Sequence, residues 1–200
     1  MEILVPSVYF GNIFYYQLVK KADVIYVELY EHFEKQTFRN RCEIYGANGR
    51  LNLIVPIKHT SNGRKTVGEA EINNNENWQK IHWRSFESAY RTSPYFEYYE
   101  NEFKSIFEKK YSLLSDLNKT VNEKMLQLLK IEKTFIPTTE YQKNSIQKDY
   151  RLTFDPKIPV SNEFVDQEYV QVFGNKHGFL SNLSIVDLLC NCGPESLSYI

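Results

Sequence analysis

Two apolar runs, Ile3-Leu4-Val5 and Val24-Ile25-Tyr26-Val27, bracket a stretch in which Phe14, Gln17, Leu18, Lys21 and Ala22 recur at helical spacing. β-Branched runs of this kind suit a sheet covered on both faces. Strand, helix and strand in so short a stretch make a β-α-β unit, with parallel neighbours and a right-handed crossover. Ligands of such sheets bind beyond the carboxyl ends of the strands, which here are residues 6–12 and 28–35.

The rest of the chain extends this opening into an α/β fold, a mixed sheet flanked by helices in a single compact domain over residues 1–200. Gly46-Ala47-Asn48-Gly49 separates two strand-like segments and reads as a hairpin turn. The polar loop 58–65 follows, then a short strand expected at 67–72. Trp78, Ile81, His82, Phe86, Ala89 and Tyr90 track one broad helical face, ended by Pro94. Two further helices are expected, near 95–111 and 113–129. Residues 134–168 carry prolines and amides without periodicity, so they read as an irregular, lid-like segment. Residues 169–173 look strand-like, and 183–189 look helical behind a cap at Ser181 or Ser184.

The 24 Lys and Arg nearly cancel the 25 Asp and Glu, so no overall field draws the chain to nucleic acid or an acidic membrane. Affinity for an anion must be local. Cys190 and Cys192, with only Asn191 between them, are too close for an ordinary disulfide, which points to a reduced, cytoplasmic protein. No apolar run reaches the roughly 20 residues of a membrane span, and the first residues lack a secretory signal. The four histidines have no paired ligand spacing, so neither a metal nor a cofactor is expected. P-loop, G-x-G-x-x-G and G-x-S-x-G motifs are missing. Fifteen Tyr and thirteen Phe exceed what a core of this size needs, although packing accounts for most of them.

Three polar groupings are candidates for chemistry. In the first, Lys35, Arg39 and Arg41, with Asn40, fall on or beside one side of an extended segment. Planar guanidinium forks suit phosphate or carboxylate. The competing reading is a solvated edge strand with ion pairs. In the second, His82 and Tyr90 share a helix face, with Arg84 beside them; an imidazole and a phenol there are candidates for general base and donor. A lone histidine on an apolar face is more often a satisfied core residue. In the third, His177 precedes Gly178, and Asp187 lies on the last helix.

Taken together, three blocks resemble the WbqC-like protein family. The first runs from Pro6-Ser7-Val8-Tyr9-Phe10 through Arg39-Asn40-Arg41 to Val55-Pro56. The second is Trp78-Gln79-Lys80-Ile81-His82-Trp83-Arg84 with Ala89-Tyr90, Pro94 and Phe96. The third is Tyr169 to Phe173, His177-Gly178-Phe179 and Asn182 to Leu189, with Asp149-Tyr150-Arg151 and Pro156-Lys157 between the blocks. Where the family often has a glutamine before the first proline and a second proline after the aromatic pair, this chain has Val5 and Gly11.

The resemblance implies an acyl- or aminoacyltransferase-type enzyme of bacterial surface-polysaccharide synthesis, acting on an amino sugar or nucleotide sugar. On that reading His82 is the base and Tyr90 the donor. Tyr9, Lys35, Arg39, Asn40, Arg41, Arg84, His177 and Asp187 bind a small anionic partner, a nucleotide sugar or phosphorylated sugar. Two alternatives stay open: a binding module for the same ligand without chemistry, and a nucleotidylyltransferase-like enzyme. The latter lacks the His-x-Gly-His pair that such enzymes use on phosphates.

Overall fold

In a computed structural model, which describes residues 1–59, 63 and 65–200, the opening β-α-β unit forms as its pattern dictates. Strand β1 (Glu2–Pro6) pairs in parallel with β2 (Val24–Glu28), and helix α1 (Ile13–Lys21) carries the chain between them. Asn12 starts the helix by accepting from the Tyr15 amide at 3.0 Å. Next comes an antiparallel hairpin, β3 (Arg41–Gly46) and β4 (Gly49–Ile54), in register from Arg41 opposite Ile54 to Gly46 opposite Gly49. Gly49 has φ +101°, a backbone state that a side chain would strain.

Helices α2 (Trp78–Tyr90), α3 (Phe96–Glu108) and α4 (Leu114–Leu129) then pack in succession. Lys130, left-handed at φ 56°, ends α4. The expected strand at 67–72 is instead a 3-10 turn, Val67–Glu69, followed by isolated bridges at Glu71 and Ile72. Thr66 and Glu69 cap that turn reciprocally, and this local bonding competes with extension. The polar loop expected over 58–65 falls partly outside the described residues.

Residues 134–168 also hold more order than their sequence conveys. They contain β5 (Phe135–Pro137) and β6 (Lys148–Asp149), which complete a four-stranded parallel sheet in the order β5-β2-β1-β6. Both are too short to show a period. Residues 169–173 do not form the expected strand. Tyr169 and Gln171 instead hydrogen-bond Asp187 on the last helix, and a short helix α5 (Gly174–His177) follows. Helix α6 (Ile185–Cys192) begins at Ser184, whose hydroxyl accepts from the Val186 amide. A 3-10 segment, Gly193–Ser198, ends the fold.

The core is aromatic to an unusual degree. Tyr9, Phe10, Phe86, Phe103 and Phe107 are buried together, with Phe86 and Phe107 edge-to-face at 5.2 Å between centroids. Most of the aromatic excess is therefore interior packing. All three cysteines are free. Among the described residues, no helix is long and apolar enough to cross a membrane. No cluster of three or more His, Cys, Asp or Glu side chains suited to a metal ion occurs among them either.

Candidate functional site

The sheet runs outward from β1 through β2 to β5, and the chain then returns to the far side of β1 as β6. Strand order thus reverses at β1. In open parallel sheets the crevice beyond the carboxyl ends at such a reversal is the place where ligands bind. Here those ends deliver Ser7 after β1, Glu28 on β2, Thr138 after β5 and Arg151 after β6.

Glu28, Thr138 and Arg151 meet in a buried ionic network. Glu28 is fully buried, and its Oε2 accepts from Arg151 Nη1 at 3.0 Å. Its Oε1 accepts from the Thr138 hydroxyl at 3.0 Å and the Tyr30 amide at 2.8 Å. Arg151 also donates to Asp149 Oδ2 at 2.6 Å and to the Gln142 carbonyl at 2.9 Å. Arg39 forks onto Glu31 through Nε and Nη2, both at 2.7 Å, and reaches the Arg151 carbonyl at 3.4 Å. Burial raises the Glu31 carboxyl despite the opposing pull of Arg39. Burial likewise pushes Asp149 upward, but hydrogen bonds from Arg151 outweigh it and hold the carboxyl below its usual range.

Two cavities flank this network. The first, of about 400 Å³, is lined by Asn12, Phe14, Phe38, Glu43, Asp155 and Asn182 among others. It lies at the start of α1, where free amides of a first helical turn would ordinarily attract an anion. Those amides are already engaged. Ile13 donates to the Leu183 carbonyl, Phe14 to Asn182 Oδ1 and Tyr15 to Asn12 Oδ1, each at 3.0 Å. Asn182 reaches Phe14 from a left-handed backbone, φ 54°. The second cavity, of about 360 Å³, lies between α4 and the β2–β5 edge.

The residues singled out from sequence scatter around these features. Arg39 belongs to the network, but its fork is occupied by Glu31. Lys35 is exposed, with its ammonium 3.3 Å from His59 Nδ1. Arg41 begins β3, and its buried Nε has no partner among the described residues. Asn40 is buried and donates to the Val55 carbonyl at 2.9 Å. The expected anion clamp is thus spread over separate neighbourhoods.

His82 is 3% exposed and packed among Tyr9, Trp78 and Phe107. Its Nδ1 meets the Tyr9 hydroxyl at 2.9 Å, and the ring also hydrogen-bonds the Ile54 backbone. Burial pushes the imidazole pKa down to about 4, so the ring is uncharged at neutral pH. Tyr90 is buried on the same helix, and its hydroxyl accepts from the Tyr45 amide at 3.2 Å. Burial first, and then the Asp187 charge, raise that phenol well above its usual value.

Asp187 is fully buried, accepting from Tyr169 at 2.7 Å and Gln171 at 3.0 Å. Burial lifts its carboxyl to about 6. Exposed Arg84 borders a shallow groove beside Ala47, and exposed His177 lies 3.0 Å from the Ala47 carbonyl. The residues that sequence reasoning passed over are Glu28, Glu31 and Thr138 in the network, and Glu43, Asp155 and Asn182 in the first cavity. Glu28 alone carried a readable signal, a charge directly after the apolar run of β2.

A family model described as the WbqC-like protein family matches residues 7–158. A protein of Mycobacterium tuberculosis (strain ATCC 25618 / H37Rv), "Uncharacterized protein Rv1507c", is 23% identical to the chain over 216 residues, covering 93% of the chain and 91% of its own length. No solved structure matches the chain.

Proposed function

The chain belongs to the WbqC-like protein family, and from that premise we propose that it holds a hydroxyl-rich ligand of the amino-sugar or nucleotide-sugar class in the crevice at the carboxyl end of its parallel sheet. The observation that carries this reading is the lining of the first cavity. Asn12 and Asn182 offer amides, Glu43 and Asp155 offer carboxylates, and Phe14 and Phe38 offer aromatic faces. Planar amides and carboxylates grip neighbouring hydroxyls, while the apolar face of a sugar ring lies on an aromatic one.

Charge refines the class. Arg39 and Arg151 are committed to carboxylates, and the first-turn amides of α1 are committed to protein oxygens. Arg50, the cation in the lining, is paired with Glu43 at 2.7 Å. A sugar bearing an amine suits this wall better than a phosphate does, so any phosphate of the ligand lies outside the cavity. Titration of the protein with an amino sugar, its N-acetyl form and its phosphate tests the reading. The free amino sugar binds tightest, and Asp155→Asn and Phe38→Ala each weaken it; equal affinity for all three sugars, or indifference to both substitutions, overturns it.

Acyl or aminoacyl transfer to that amine is the second reading, and the Tyr9–His82 hydrogen bond favours it. Tyr9 lies in the loop that leaves β1, and an uncharged imidazole on its hydroxyl is a chemically competent proton relay. His82 would serve as base and Tyr90 as donor in that scheme. Turnover that survives His82→Phe, in a protein still folded, removes His82 as the base; saturable binding with no turnover in the parent protein leaves a binding module. A nucleotidylyltransferase-like role needs phosphates at the start of α1, where the amides are engaged.

A further inference from the structure

We propose that β4 is the interface of a homodimer: its outer edge pairs with β4 of a second copy, antiparallel about Asn52, and joins two hairpins into one four-stranded sheet. β4 has a single strand neighbour, β3. The register fixes which of its backbone groups face outward. On β3 the Glu43 carbonyl accepts from the Ser184 amide at 2.8 Å, and the Tyr45 amide donates to the Tyr90 hydroxyl at 3.2 Å. Both residues therefore turn their backbones away from β4. In an antiparallel pair the residues opposite them, Asn52 and Arg50, turn theirs away from β3. Among the described residues, the amides and carbonyls of Arg50 and Asn52 meet no partner.

Such an edge is a template for another strand unless the sequence spoils it with lysine, proline, a bulge or brevity. β4 carries none of these safeguards. Its six residues, Gly49–Ile54, hold no proline or lysine, and they run in unbroken register with β3. Arg50 is its one charge, and that guanidinium is held by Glu43 at 2.7 Å and by the Ser181 carbonyl at 2.8 Å. Apolar side chains reach solvent on either side of the edge. Leu51 is 39% exposed and Ile54 46%, while Ile81 of α2, which shares a groove with Leu51, is 59% exposed.

A second copy suits this edge because the strand is complementary to itself. Pairing about Asn52 sets the partner's Asn52 directly opposite, and a primary amide both donates and accepts, so each side chain satisfies the other. On one face Leu51 meets the partner's Leu53. On the other, Arg50 meets the partner's Ile54, so no like charges stand opposite each other. Arg50 also lines the first cavity, and the partner's Ile54 thus comes to lie against one of that cavity's walls. The interface itself stands whether or not the cavity holds a sugar.

Light scattering from the whole chain at micromolar concentrations tests the proposal, and the expected mass is twice the 23.7 kDa of one chain. Asn52→Pro removes an outward amide that β3 does not use, so the variant should keep its fold by circular dichroism yet dissociate at least about a hundredfold more readily. Asn52→Cys gives a second readout. Residues directly opposed in a hydrogen-bonded antiparallel pair have Cα atoms about 5.5 Å apart, within the range of a disulfide. Mild oxidation should therefore link Asn52→Cys into a covalent dimer, whereas Asn48→Cys, in the exposed turn and away from the axis, should stay unlinked. The parent's own cysteines are buried or half-buried and should give no such product.

A parent chain that remains monomeric overturns the proposal and leaves the edge to a strand of some other protein. A dimer that survives Asn52→Pro undiminished, or Asn48→Cys that links as readily as Asn52→Cys, overturns it as well.

Discussion

At the carboxyl end of the parallel sheet, Glu28, Arg39 and Arg151 are buried in ion pairs, Arg39 with the half-buried Glu31, whereas around α2 the polar groups His82 and Tyr90 are buried among hydrogen-bonding partners. Both regions satisfy their polar atoms, but by different means and for different ends. The ionic region flanks cavities and ties together the ends of β2, β5 and β6. The aromatic region is filled by its own rings. A histidine and a tyrosine at helical spacing mark a packed interior here, while the crevice is bounded by residues with no motif.

The contrast is breakable, most forcefully at Arg151. Arg151→Met leaves Glu28 fully buried without its cation, and should destabilise the fold by about 3–5 kcal/mol in denaturant unfolding. Adding Glu28→Gln to that variant should restore part of the loss, because the orphaned charge is removed. If the single variant loses no more than a surface substitution does, the network is not what fixes the strand ends.

At His82 the expected loss is smaller, about 2–4 kcal/mol for His82→Ala, from the vacated space and the abandoned Tyr9 hydroxyl. Thermal unfolding checks it. A loss comparable to that of Arg151→Met would erase the distinction between the two regions.

The distinction sharpens with pH. His82 has a folded pKa of about 4, below its unfolded value, so its contribution is present above about pH 6.5 and is lost as pH falls toward 4. Asp187 has a folded pKa of about 6, above its unfolded value, so its contribution is present below about pH 4 and is lost as pH rises through 6. The two oppose each other in one window. His82→Gln should therefore lose less stability than the wild type between pH 7 and 4, and Asp187→Asn should lose more. Parallel stability curves for all three proteins would contradict these assignments.

The smallest effect is expected at Asn182. Asn182→Gly removes one cap of α1 and relieves a left-handed backbone, so it should cost no more than about 1 kcal/mol in thermal unfolding. It also frees the Phe14 amide at the first cavity. Weak binding of inorganic phosphate, undetectable in the parent, should follow; its absence would mean that the side chain is not what excludes an anion.

How much of this was legible in the sequence divides along the same line. Residues 3–27 announce the β-α-β unit because four apolar residues in succession suit a covered strand, and the hairpin at Gly46–Gly49 declares itself through its turn. Helices α2 to α4 were readable from their periodic apolar faces. Strands β5 and β6 were not, since three and two residues carry no period and owe their extension to neighbours already in the sheet.

The site divides similarly. The location beyond the strand ends followed from topology alone, yet its ionic pairs join Glu28 to Arg151, 123 residues apart. No local pattern encodes such a meeting. His82 drew attention by residue type, but burial, not sequence, determines whether an imidazole faces a ligand or a neighbouring phenol.

The wall of the first cavity has a consequence for the order of assembly. Phe14 and Asn182 meet across 168 positions, and the Ser184 hydroxyl reaches back to the Phe10 carbonyl across 174. During synthesis the β1–α1 turn must wait, its amides wet and its aromatic loop uncovered, until the segment around residue 182 has emerged. Contacts so distant in sequence form slowly, and they bring the crevice into being in the last act of folding. A nascent chain stalled before that point would already own its parallel strands, but it would display Phe10 and Phe14 to the surrounding solution, where a chaperone is the natural custodian.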